Sequence, residues 1–250
     1  MTMTRVTHGT RTRAAATAIA AGAVTALLLA GRPAAAQILS VDFGLNTPSP
    51  VQAGFSAFNL ANPGVTANPS QTFTGLSGVA SGQITLTFGG TPGGRDRGQP
   101  NTGGAPDLFR DLFTALAETA TGTTFSVTGL NPNTSYSVEI WSLDRGFNNG
   151  AVYEWYNTTA GSTLLGTIVN STTAVPASLN EFRVTGTVTA DATGRLAFGH
   201  VDPVGTGTIN GFRISAAAAA VPEPSSVALA AVGVLPLLGS WNARRRRRTL

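Results

Sequence analysis

Gln83-Ile84-Thr85-Leu86-Thr87-Phe88 alternates polar and apolar residues without a break. Side chains of an extended chain point to opposite faces at each step, so Ile84, Leu86 and Phe88 share one face and Gln83, Thr85 and Thr87 the other. A helix would scatter the same residues around its circumference. The stretch predicts a half-buried strand, and its kind recurs on both sides. Residues 38–44 place Leu39, Val41 and Phe43 on one face and are stopped by Thr47-Pro48-Ser49-Pro50. Downstream, residues 124–128, 135–143, 151–156, 163–169, 181–189, 195–199 and 208–214 read as strands, separated by turns such as Asn131-Pro132-Asn133 and Asn148-Asn149-Gly150.

Between these runs, residues 54–68 read as loop, anchored by Phe55 and Phe58, and residues 89–104 as a long glycine-rich surface loop carrying Arg95-Asp96-Arg97. One segment breaks the alternation. Leu108, Phe109, Leu112, Phe113 and Leu116 form an apolar stripe at helical spacing behind Pro106 and Asp107, so residues 107–118 predict an amphipathic helix. Two-faced strands with one helix predict a mainly β fold, an antiparallel β-sandwich or jelly roll. No repeat of fixed period is present.

Both ends read as targeting segments. At the start, Arg5, Arg11 and Arg13 precede an Ala- and Leu-rich run and then Ala34-Ala35-Ala36, the order of a signal peptide over residues 1–36 with Ala34 and Ala36 framing the cleavage site. The mature domain is then 37–215, with a small-residue linker over 216–220. At the other end, Val221-Pro222-Glu223-Pro224-Ser225 precedes an apolar run over residues 227–241, then Arg244, Arg245, Arg246, Arg247 and Arg248. The run is at the short limit for a transmembrane helix, and the arginines hold its end on the cytoplasmic side.

Removing the ends inverts the charge. The chain is formally +4 with a pI near 10.6. Its sixteen basic residues are all arginine, and nine of them lie in the leader and tail. The middle keeps seven arginines against eleven acids, a formal charge of −4, so no basic face remains for nucleic acid. With no cysteine, disulfides and thiolate chemistry are excluded.

The tail resembles the PEP-CTERM sorting signal in its three parts: Val221 to Ser225, the apolar run, and Arg244 to Arg248. The resemblance implies an exosortase partner during export, a transient membrane stage, removal of the tail, and delivery to the cell surface or extracellular matrix. Val41-Asp42-Phe43-Gly44, Gly94-Arg95-Asp96-Arg97-Gly98, Leu108-Phe109-Arg110-Asp111 and Ile209-Asn210-Gly211-Phe212-Arg213-Ile214 look like segments of galactose-binding-like sandwiches of the malectin or carbohydrate-binding-module type. That likeness implies a jelly roll with sugar binding. Residues 129–138 are similar to the fibronectin type III turn that sets a Tyr, here Tyr136, at a strand start as a structural corner.

Catalytic chemistry finds little here. No Gly-x-Ser-x-Gly elbow is present, and the mature chain has one histidine, His200, which reads as structural. Asp96, Asp107, Glu139, Asp144, Glu154 and Asp202 supply carboxyls, but nothing in the sequence pairs them for glycoside hydrolysis. Asp42 and Asp202 offer oxygen ligands for calcium without an Asp-x-Asp-x-Asp loop, so no metal or other cofactor is assigned. The candidate glycan-binding residues are Trp141, Asn148, Asn149, Tyr153, Trp155 and Tyr156, which join rings for stacking to short amides for hydroxyls. Alternation puts Tyr153 and Trp155 on one face and Tyr156 on the other; the competing reading is that Trp141 and one of these rings are core. The expected function is a non-enzymatic exported protein associated with extracellular polysaccharide. The alternative is a structural or adhesive matrix protein with protein partners and no glycan binding.

Overall fold

The computed structural model describes residues 36–45, 50–61, 64–97, 106–147, 149–202 and 207–217. Residues 1–35 of the expected leader, Ala34 among them, the loop residue Asn148, and the tail with the expected transmembrane segment and the sorting residues lie outside them. Among the described residues no helix is long and apolar enough to cross a membrane.

Thirteen strands make up the described chain: β1 (Gln37–Leu45), β2 (Ser56–Leu60), β3 (Ser70–Thr74), β4 (Gln83–Phe88), β5 (Gly93–Asp96), β6 (Asp111–Thr114), β7 (Phe125–Thr128), β8 (Ser135–Trp141), β9 (Val152–Asn157), β10 (Thr163–Val169), β11 (Arg183–Thr189), β12 (Leu196–Val201) and β13 (Gly211–Ala216). One sheet runs β11-β8-β13-β1-β2 and the other β10-β9-β12-β7-β4-β3, with β5 and β6 forming a short ribbon beside β1. Pairing is antiparallel except between β1 and β2, which run parallel with Phe43 opposite Phe58.

The alternation read from sequence decides which faces meet. Leu39, Val41 and Phe43 of β1, Val138 and Ile140 of β8, and Phe212 and Ile214 of β13 pack against Ile84, Leu86 and Phe88 of β4 and Phe125 and Val127 of β7 in one core. Aromatic rings fill its centre. Phe125 stacks on Phe88 at 5.3 Å and Phe198 at 4.8 Å, and meets Phe212 of the opposite sheet edge-on at 5.4 Å. Burial of this apolar surface is the main stabilising contribution. Tyr136 acts as the expected corner: buried at the start of β8, its hydroxyl accepts a 2.9 Å bond from the Asn131 backbone N–H.

Four elements differ from the reading, one of them β3, which pairs along β4 in a stretch the reading leaves unassigned. Residues 107–118 are not a helix: Asp107–Phe109 make one 3₁₀ turn, Asp111–Thr114 are β6, and Ala115 adopts a left-handed φ of 56°. All four β6 residues are buried. A strand covered on both faces loses its alternation, so its apolar run imitates a helix stripe. Residues 56–60, read as loop, pair along β1, and residues 93–96 pair with β6. Gly94 makes the second pairing possible, because a Cβ there would lie 2.5 Å from the Leu60 carbonyl oxygen and 2.7 Å from that of Gly44.

Candidate functional site

The six candidate glycan-binding residues are split among separate environments. Tyr153 and Trp155 do share a face of β9, and that face is the core, where both are fully buried. Trp155 donates its indole N–H to Ser142 Oγ at 2.9 Å and meets the His200 ring edge-on at 4.6 Å. Burial pushes the Tyr153 phenol up to about 12. Neither ring offers a face to a ligand. Trp141 lies on the outer face of the β11–β2 sheet, yet is covered by a second apolar cluster with Leu108, Phe109 and Leu143, against which Phe55 and Phe182 pack. Its N–H donates to the Leu179 carbonyl at 2.8 Å. Asn149 is exposed and accepts from the Thr172 N–H at 3.1 Å. Tyr156 alone among the rings stands on an open sheet face, opposite Leu164 of β10, with its hydroxyl donating to Glu154 Oε2 at 2.5 Å. That bond raises its pKa above the usual phenol range.

Two buried asparagines shape the surroundings. Asn170 receives the Asp144 N–H at 2.8 Å and donates to the Asp144 and Phe147 carbonyls, fixing the loop after β8. Asp144 in turn takes Arg97 as a bidentate pair at 2.7 and 2.8 Å. Asn210 donates to the Asp111 and Trp141 carbonyls and accepts from the Leu143 and Phe43 N–H groups, which joins β1, β6 and β8 at one point. Asp42 accepts from the Gln52 N–H at 2.7 Å, while its other oxygen is buried without a partner. Burial pushes this carboxyl up to about 7, with Asp111 and Asp107 adding to the rise and the Gln52 bond opposing it.

The outer face of the β11–β2 sheet carries a row that the sequence did not single out. Thr185, Glu139, Arg213 and Ser40 lie directly opposite one another across four strands. Glu139 Oε2 receives Arg213 Nη1 at 2.8 Å and Oε1 receives Arg183 Nη1. Arg213 Nε donates to Ser40 Oγ at 2.9 Å, and its guanidinium lies over Phe55 and Trp141 at 5.0 and 5.2 Å. Both arginine side chains remain about a quarter exposed. These residues come from positions far apart in the chain, and only strand register brings them together. The one trace in the sequence is a charge at an outward position of strands otherwise lined by Ser and Thr.

Chemistry of other kinds is disfavoured by what the groups are doing. His200 is fully buried, neither ring nitrogen has a partner, and burial pulls its pKa down to about 3, so it stays neutral and out of solvent reach. Asp96 and Asp144 are each tied to one arginine, and Glu139 to two. Among the described residues, no group of three or more His, Asp and Glu side chains comes together to hold a metal.

Residues 220–247 match the PEP-CTERM protein-sorting motif. The chain carries that sorting signal. It marks an exported protein held transiently at the membrane before processing, and it implies an exosortase as processing partner. No curated protein matches the sequence. Among solved structures, the chain is similar to a Bacteroides uniformis β-glucuronidase, with 13% identity, TM-score 0.33, and 59% of this chain against 18% of that one. It is also similar to the CBM22-1-CBM22-2 tandem domain of Paenibacillus barcinonensis Xyn10C, with 11% identity, TM-score 0.34, and 63% against 49%. A third likeness, to the CBM22-1-GH10 modules of a Clostridium thermocellum xylanase, has 10% identity, TM-score 0.24, and 62% against 26%. The chain thus spans less than half the length of each of these structures.

Proposed function

We propose that the protein is a non-enzymatic exosortase substrate, delivered with its β-sandwich to the cell surface or extracellular matrix, where the sandwich associates with polysaccharide. The observation that carries the reading is the PEP-CTERM motif over residues 220–247 joined to a sandwich whose histidine is buried and neutral. Exposed polar side chains lie at alternate positions on its outer faces, the arrangement that polyol binding requires: a ring edge or plane with hydroxyl, amide or charged groups beside it. Tyr156 with Glu154 supplies such a pair on one sheet, and the Arg213 row on the other.

The test is co-sedimentation of the full-length protein, in mild detergent, with the exopolysaccharide of its own producer. Retention of the wild type, reduced several-fold by Tyr156→Ala at unchanged thermal stability, is the expected result. No retention, together with self-association in sedimentation velocity, favours instead an adhesive protein that pairs through sheet edges. Leu164 and Val169, exposed at 49% and 60% on edge strand β10, are where that association would begin.

A further inference from the structure

The Arg183, Glu139 and Arg213 row has more positive charge than its own pairing needs. In the Arg97–Asp144 and Arg110–Asp96 pairs one guanidinium meets one carboxylate. On the outer face of the β11–β2 sheet two guanidiniums share the single carboxylate of Glu139. A guanidinium carries five N–H donors. Arg183 uses one of its donors in a hydrogen bond, and Arg213 uses two. Free donors therefore remain on both, on side chains about a quarter exposed, in a mature domain whose formal charge is otherwise negative.

The pair is also held in place. Arg213 is fixed by Ser40 and by the Phe55 and Trp141 rings beneath it, so little side-chain freedom is lost when a ligand binds. Asp42, two residues along β1 from Ser40, turns to the Gln52 N–H and is buried, so it does not occupy these donors. Next along the same face, Thr187 of β11 lies opposite Ser137 of β8, which lies opposite Ser215 of β13. Carboxylate recognition by paired arginines beside a line of hydroxyls fits an anionic sugar better than a neutral one.

We propose that this row is a carboxylate-binding site and that its ligand is an acidic polysaccharide, whose uronate carboxylate bridges Arg183 and Arg213 while the Thr and Ser hydroxyls meet the sugar ring. The proposal rests on the polysaccharide reading above and names the class of polymer.

The experiment compares retention of the full-length protein in mild detergent on polygalacturonate, on dextran as the neutral polymer, and on the producer's own exopolysaccharide, with a thermal melt for every variant. Wild type is expected to be retained on polygalacturonate and not on dextran, with retention falling as salt screens the contact. Arg183→Gln, at the sheet edge, is expected to weaken it several-fold, and Arg183→Gln with Arg213→Gln at least tenfold. Glu139→Gln frees both guanidiniums and is expected to strengthen retention several-fold. If Glu139→Gln lowers the melting temperature without strengthening retention, the row is a structural ion network and the proposal is overturned. Retention on the producer's polymer that ignores all three substitutions overturns the proposal and leaves the polysaccharide reading standing. Retention on none of the three polymers overturns both.

Discussion

Tyr153, Trp155 and Tyr156 are neighbours on β9, and a single step along the strand separates core from open face. Alternation in the sequence sorts them correctly into two sets, because extended geometry leaves no other arrangement. It does not say which set faces inward, since both faces of β9 carry a ring. That decision belongs to the opposite sheet and to β12, where His200 sits directly across from Trp155. The consequence is measurable. Trp155→Ala opens a cavity in the core and should lower stability by about 3–5 kcal/mol, seen in urea unfolding, whereas Tyr156→Ala should change it by less than about 1 kcal/mol. The reverse order would place the wrong ring in the core. The arginine row was illegible for another reason: Glu139 lies 44 residues from Arg183 and 74 from Arg213, and nothing local predicts that three strands bring them into register.

At the scale of elements, most strands were legible, β1 and β12 among them although both are buried along most of their length, while β2, β3, β5 and β6 were not. β4, β8 and β13 show alternation, and the Asn131-Pro132-Asn133 turn with Tyr136 announces its corner. β6 is buried on both sides, and Leu108 and Phe109 just before it serve the outer cluster while Phe113 and Leu116 serve the main core. One stripe in sequence thus feeds two cores. Ala115 separates the two interpretations. In the strand-and-turn structure it holds a left-handed φ of 56°, which Gly adopts without strain. Ala115→Gly should therefore be neutral or stabilising by up to about 1 kcal/mol in thermal melts, while in a helix interior the same change would cost about 1 kcal/mol.

For the whole molecule, two buried titrating groups act in opposite directions on stability. Asp42 has a folded pKa of about 7 against 3.8 for the free group, so between those values the folded chain keeps a proton that the unfolded chain has released. Stability contributed here is present at low pH and lost as pH rises toward 7, at up to about 1.4 kcal/mol per pH unit. His200, lowered from 6.5 to about 3, binds its proton more readily when unfolded, so its effect is a loss of stability as pH falls below 6.5. Asp42→Asn keeps an oxygen for the Gln52 N–H and removes the first titration. Its stability advantage over wild type should be small near pH 4 and grow to a few kcal/mol by about pH 8, measured by urea unfolding at each pH. Parallel profiles for the two proteins would show that Asp42 does not titrate in this range.

The charge of the molecule is likewise set at the whole-chain scale, because the arginines that make the sequence basic sit mainly in its two ends. The sorting motif was legible because it is a linear signal, read by order and composition and independent of fold. Its processing is the central claim, and intact-mass spectrometry of the protein recovered from the producer's surface or matrix tests it most directly. The account predicts a species lacking Arg244 to Arg248; a mature form that still contains those five arginines would contradict it and identify the tail as a permanent anchor.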